Sequence, residues 1–210
     1  MVLKKEDLDQ LDKIYRINLI NSLSGIKPAN LIGSRSKNEV DNLAIFSSVV
    51  HLGSNPAQFG MVMRPQTEIP KDTYRNILGS GFYTINHVSE NFIKNAHYTS
   101  AKLEADQSEF DMMDIEQEFI TDFYAPFVKN SDVKLGMKHL ESLSLPNGCI
   151  FIVGEVQLIS INEELIDEEG VLDLEKYNHV GIGGINNYYA LKKLDSFPYV
   201  RVHEIPDFNE

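Results

Sequence analysis

Two polar clusters attached to apolar segments are where this chain could do chemistry. The first is Arg64, Lys71, Asp72 and Thr73. Arg64 ends the apolar run from Phe59, and Lys71 stands near the head of a helix-forming stretch. A helix start offers unpaired backbone N–H groups and the positive end of the helix dipole. A guanidinium, an ammonium and a hydroxyl beside it would make a socket for a phosphate. The plainer alternative is a surface Arg and Lys next to a helix cap. The second cluster is Asn42 with Ser47 and Ser48, carried on the run LAIFSSVV. Adjacent residues of a strand face opposite ways, so one serine hydroxyl points inward and needs a partner. Either the backbone supplies that partner or the serines form a polar edge along a ligand.

Other chemistries have less behind them. The single cysteine, Cys149, excludes an internal disulfide and a Cys-rich zinc site, and it reads as a buried strand thiol. The six histidines (His51, His87, His97, His139, His179 and His203) show no pair at metal-ligand spacing. No Gly-x-Ser-x-Gly elbow is present. The GIGGIN segment at 181–186 follows no convincing strand and opens no clear helix, so it reads as a turn rather than a dinucleotide loop.

The elements that must position these residues are mostly short strands. The pattern predicts a leading helix over 6–13 and strands over 14–23, 29–34, 43–52, 59–64 and 82–86. Loops are expected over 35–42 and at Gly53-Ser54-Asn55-Pro56. Pro70 suits the first position of a helix running to Leu78, with Gly79 and Gly81 at its exit. A second helix is expected over 89–97, then loop with a short helix over 100–114. Two long strands, 133–145 and 149–161, flank Pro146-Asn147-Gly148, a hairpin turn. Residues 162–176 read as an acidic surface segment, and 199–203 as a short strand in the tail. Many short strands without regular helix alternation argue against a parallel sheet and for a closed antiparallel barrel, in which edges disappear.

With 210 residues the chain suits a single domain over 1–210, with a short N-terminal helix and a C-terminal extension. Its formal net charge of −12 would repel nucleic acid and anionic lipid, so neither is an expected partner. A few local cations could still hold a small anionic cofactor. The N-terminus has no signal-peptide core and no run approaches a membrane span, so the cytoplasm is the expected location.

The order of motifs carries a resemblance. NLAIFSSVV, a strand ending in Arg64, and the run Lys71-Asp72-Thr73-Tyr74-Arg75-Asn76-Ile77 resemble the flavin-reductase-like, FMN-binding split-barrel family. GFYTINHVSENF, His97-Tyr98-Thr99-Ser100-Ala101, Ser108-Glu109-Phe110, Ala125-Pro126 and Gly154-Glu155-Val156 continue it. The resemblance implies a mainly β fold with helices: a six-stranded antiparallel Greek-key split barrel that binds FMN. It also implies a homodimer whose interface encloses the flavin. Ser47, Ser48 and Val49 would then edge the ring system, and Asn42 would support that strand. Arg64, Lys71, Asp72 and Thr73 would sit at the phosphate and ribityl end; His97, Thr99 and Ser100 would lie near the flavin or nicotinamide. The implied reaction is hydride transfer from NAD(P)H to flavin N5, with a flavin-dependent oxygenase or another electron acceptor downstream. The alternatives are an FMN electron carrier of flavoredoxin type and a barrel that has lost its flavin site. The chain departs from the family in three ways. KNEVDN replaces an Asp-Gly hairpin, an acidic segment runs from Glu163 to Glu169, and the Arg of an Arg-x-Gly-Gly element is missing before Gly183-Gly184.

Overall fold

The computed structural model describes residues 1–66, 68 and 71–208. Two helices lead, α1 (Lys5–Gln10) and α2 (Lys13–Ser22). Where the sequence suggested a strand over 14–23, α2 forms instead. Asp12 caps it, accepting from the N–H groups of Ile14 (2.9 Å) and Tyr15 (3.0 Å). Ile14, Ile17 and Ile20 then recur on one face at helical spacing, so cap and periodicity outweigh the β-propensity of isoleucine. No residue of α2 is buried.

The strands are β1 (Ile26–Pro28), β2 (Asn30–Arg35), β3 (Asp41–Phe46), β4 (Val50–Ser54), β5 (Ala57–Met63), β6 (Phe82–His87), β7 (Gln117–Glu118) and β8 (Phe127–Val128). The long hairpin β9 (Val133–Ser144) and β10 (Ile150–Ile161) follows, then β11 (Val180–Gly183) and β12 (Asn187–Ala190). Among them lie α3 (Asp72–Ser80), α4 (Ile93–Tyr98) and α5 (Glu109–Met112). The expected start of α3 at Pro70 lies outside the described residues. Gly81 ends this helix in the left-handed conformation, φ 78°, as an exit glycine should.

The main sheet is antiparallel throughout, in the order β3-β2-β6-β9-β10-β5-β4. It has seven strands because the run read as one strand over 43–52 breaks at Ser47–Val49 into β3 and β4; taken as that one run, they and the other five make six. These two strands are the opposite edges of the sheet, yet three residues join them. Laid flat, seven strands would span about 29 Å. Three linking residues reach about 14 Å at most. The sheet therefore has to curl until its edges meet, which makes the barrel.

Closure divides the core in two. Ile32, Met61, Ile77, Tyr83, Ile85, Met137 and Ile152 pack inside the barrel. Leu31, Leu43, Val88, Ala96, Phe110 and Val180 pack on its outer side beneath α4, α5 and β11. Strand β2 serves both clusters, so nearly all of it is buried. Asn86 fastens β8 to the barrel: it donates to the Leu31 carbonyl (3.1 Å) and to Thr84 Oγ1 (2.9 Å), and accepts from the Val128 N–H (3.0 Å).

Four local readings need correction or sharpening. Cys149 is half-buried between the hairpin turn and β10 rather than inside a strand. The tail forms no strand at 199–203; Val202–Glu204 is a single 3₁₀ turn, and among the described residues no strand pairs with it. The acidic segment is exposed except for Leu165, which is buried and anchors it. GIGGIN forms part of β11 and the turn at Gly184, φ 63°, that leads to β12.

Gly33 shows how tightly the layers meet. A Cβ there would run into the Pro126 carbonyl oxygen and come within 2.5 Å of Thr84 Oγ1. The Gly33→Ala variant should lose about 2–3 kcal/mol from overpacking. Urea unfolding should show a lower midpoint at unchanged slope.

Candidate functional site

Three pieces of chain converge at one side of the barrel: the strap Ser47–Val49, the end of β5, and the start of α3. Val49, Met63 and Ile77 share the interior cluster, which fixes all three pieces against one another. Ser48 stitches the strap to β5. Its hydroxyl donates to the Val62 carbonyl (2.9 Å) and accepts from the Val62 N–H (3.1 Å). Of the two alternatives for the serine pair, the backbone-satisfied one holds for Ser48. The main-chain groups of the strap pair with no strand.

Arg64 follows β5 and is exposed, as is Lys71, the N-cap residue of α3. Among the described residues neither cation forms an ion pair. Lys71 makes no side-chain capping bond onto the first turn, and its own N–H donates to Gln66 Oε1 (2.9 Å), whose amide donates to the Arg64 carbonyl (2.7 Å). Asp72 is half-buried and pairs with Arg75 on its own helix. Thr73 is buried and turned inward. Its hydroxyl donates to Asn42 Oδ1 (2.8 Å), so only its backbone can face outward toward an anion.

Asn42 is the centre of a buried network. Its Oδ1 accepts from Thr73 and from Ser34 Oγ (3.2 Å), and Ser34 accepts from Asn76 Nδ2 (3.2 Å). The Asn42 amide donates to Glu109 Oε2 (2.8 Å), which also accepts from the Leu43 N–H (2.9 Å). One side chain thus joins β2, β3, α3 and α5. Glu109 was visible in the sequence only as the middle of a Ser-Glu-Phe motif; its role at the centre of the fold could not be read there. Burial holds its carboxyl above the ordinary value of 4.5, and the bonds from Leu43 and Asn42 only partly offset this.

His97, Thr99 and Ser100 share no hydrogen bond with this network among the described residues. His97, on α4, meets the Tyr188 hydroxyl of β12 at 3.1 Å. The Thr99 hydroxyl is buried and donates to the Ala96 carbonyl (2.7 Å), while Ser100 is exposed. The sequence also missed a spatial histidine pair, since 92 positions separate His87 and His179 in the chain. Their Nδ1 atoms lie 3.3 Å apart.

A seven-stranded antiparallel sheet curled until its two edges are joined by the strap Ser47–Val49 is a split-barrel architecture. The chain belongs to the flavin-reductase-like family, whose domain model, the flavin reductase like domain, matches residues 26–181. A split-barrel domain protein of Shewanella frigidimarina NCIMB 400, named a candidate flavin reductase, is 41% identical. It superposes with a TM-score of 0.91 over 95% of this chain and 100% of that one. An uncharacterized protein of Aquifex aeolicus (strain VF5) is 26% identical over 191 residues, 90% of this chain and 93% of that one. Flavoredoxin of Desulfovibrio vulgaris (Miyazaki F) shares the fold at TM-score 0.71 and 19% identity, over 83% of this chain and 92% of its own.

The raised carboxyl pKa of Glu109 makes the site's stability depend on pH. The native state holds this proton to higher pH than the unfolded chain does. The stabilisation is complete below the unfolded pKa and is lost as pH rises through the folded one. Glu109→Gln removes the titration. The stability of the parent protein minus that of the variant should therefore shrink from about pH 4 to about pH 8, as read by urea unfolding.

Proposed function

We propose that this chain binds FMN and catalyses hydride transfer from NAD(P)H to flavin N5. The observation that carries this reading is the pair of cations Arg64 and Lys71, which form no ion pair among the described residues and whose backbones Gln66 ties together at the head of α3, in a chain of net charge −12. In this reading Arg64, Lys71 and the N–H groups of Asp72 and Thr73 hold the phosphate. The strap Ser47–Val49 edges the ring with its free main-chain donors and acceptors, and Ser48 keeps the strap in place. The bound flavin supplies the hydride-accepting ring. The contribution of the protein is to orient that ring and leave one face open; no side chain has to act as an acid. Asn42 positions both the strap's entry and α3 without touching the ligand.

The site is proposed to be completed by a second copy of the chain. Val50 and Leu52 on edge strand β4, and Leu140, Leu143 and Ile159 on the long hairpin, are exposed apolar residues suited to such a seam. The electron acceptor downstream would be a flavin-dependent oxygenase or another oxidant. A second reading, an FMN electron carrier of flavoredoxin type, is favoured by one feature of β11. Gly181 stands at the Arg position of the Arg-x-Gly-Gly element, and a Cβ there would collide with Ile26 Cγ2. A side chain at that place would have to displace Ile26.

Three measurements test these statements. Purified protein should quench FMN fluorescence on binding, and Arg64→Ala and Lys71→Ala should each weaken binding roughly tenfold, one exposed charge-assisted contact apiece. Unchanged affinity in the double variant would remove the phosphate assignment. With FMN present, NADH or NADPH should be oxidised catalytically; turnover with neither would leave the carrier reading. Sedimentation should give a dimer, and a monomer at micromolar concentration would refute the seam.

A further inference from the structure

Past β12 the chain leaves the barrel as an arm. The Lys193 N–H donates to the Glu175 carboxylate (3.0 Å), and every residue from Leu194 to Phe208 is exposed. The N–H groups of Ser196 and Arg201 donate to Asp195 and Glu204, on the arm itself. Chain ends that stay in water are polar as a rule. This one is not: Leu194, Phe197, Tyr199, Val202 and Phe208 are 82% to 91% exposed. One exposed leucine needs no explanation, but a string of five large apolar side chains marks a surface that is covered by something.

The area of the whole chain points the same way. A compact monomer of 23.8 kDa exposes about 9,900 Å², whereas this chain exposes 13713 Å². The surplus, roughly 3,800 Å², exceeds the ~1,000–2,500 Å² that each copy of an obligate homodimer covers. Helix α2 is the second element without a partner. A helix shorter than about 12 residues is marginal in water by itself, and α2 has 10 residues, none of them buried. Ile14, Ile17 and Ile20 lie exposed on it. The charges of the two elements are opposite. Helix α2 carries Lys13 and Arg16 and no acid, and Asp12 before it is engaged by the cap. The arm carries Asp195, Glu204 and Asp207 against Arg201 alone. Within one chain both apolar surfaces stay open. In a two-fold pair, arm on helix covers both of them twice. Such an arm needs its cover from the moment of folding, and another copy of the chain is present wherever this one folds.

We infer that residues 194–208 are an exchanged arm, and that the arm of each copy lies on the exposed isoleucine face of α2 in a second copy. The inference rests on the two-copy reading above and names the segment that holds the pair together; it needs no flavin.

Sedimentation velocity of the full chain and of a variant ending at Lys193 tests the arm. Removing it should raise the dimer dissociation constant at least about tenfold. Should the shortened chain not fold, Phe197→Ser combined with Tyr199→Ser in the full chain gives the same comparison, because both side chains are exposed on the single copy. An unchanged dissociation constant would overturn the arm and leave the seam standing; a monomeric full chain would overturn both. Cross-linking tests the docking face. Two variants that both carry Cys149→Ser, one with Ile17→Cys and the other with Tyr199→Cys, are given tags of different size, mixed until copies exchange, and treated with a flexible bismaleimide. A covalent pair of one of each is expected. Its absence from a dimeric mixture would overturn the assignment to α2. So would a chain bearing both cysteines that closes within a monomer, since its arm would then fold back on its own helix.

Discussion

The fold depends on one closure: three residues, Ser47–Val49, hold together the two edges of a seven-stranded sheet. β3 and β4 form no ladder with each other, so the strap is the covalent link between the two edges. Ser48 prolongs the β4–β5 register, in which Val50 pairs with Gly60, by one more pair. Its hydroxyl engages both polar groups of Val62, as the backbone of a neighbouring strand would. Val49 can then drop into the barrel interior beside Met61 and Met63. The same economy produces the candidate site. Because the Ser48 side chain meets Val62, the strap's own N–H and C=O groups form no main-chain hydrogen bond among the described residues, close to the end of β5 that leads to Arg64.

The mouth of the barrel is polar for a related reason. Helix α3 must dock on β2 and β3 at one fixed register if Lys71 is to face outward while Thr73 faces in. Apolar contacts alone tolerate sliding; a network with fixed donors and acceptors does not. Asn42 uses its amide in both directions, toward Thr73 and Ser34 on one side and Glu109 on the other. Losing any member would leave a buried group unpaired at about 1–3 kcal/mol. A buried carboxylate is a costly hub, and the raised pKa of Glu109 expresses that cost.

The sequence showed the β-architecture and the cations of the site, because both leave local traces. Alternating apolar runs mark strands, Pro146-Asn147-Gly148 marks the hairpin, and Arg64 and Lys71 flank a recognisable helix start. What it hid was non-local. The break at Ser47–Val49 falls inside a continuous apolar run, since its signal is a curl of the whole sheet and not a turn residue. Thr73 looked like a ligand to phosphate, yet its hydroxyl serves Asn42, a partner 31 positions away. Glu109 and the pair His87 and His179 acquire their meaning only when β3 meets α5 and β6 meets β11. Helix α2 was misread because isoleucines at helical spacing carry strand-like propensity, and only Asp12 decided between them.

The net charge of a chain does not set the potential at every point of its surface, and the long hairpin shows why. Ile150, at one end of β10, pairs with Met63, the residue before Arg64. Ile161, at the other end, leads into the acidic segment from Glu163 to Glu169. Eleven strand steps, roughly 36 Å along the chain, separate the two ends. Exposed charges are screened over about 8 Å at physiological salt. That acidic segment therefore adds to the net charge of the molecule without setting the potential at the start of α3. There Asp72 is paired with Arg75, and along residues 64–71 the two cations Arg64 and Lys71 outnumber the single acid, Glu68.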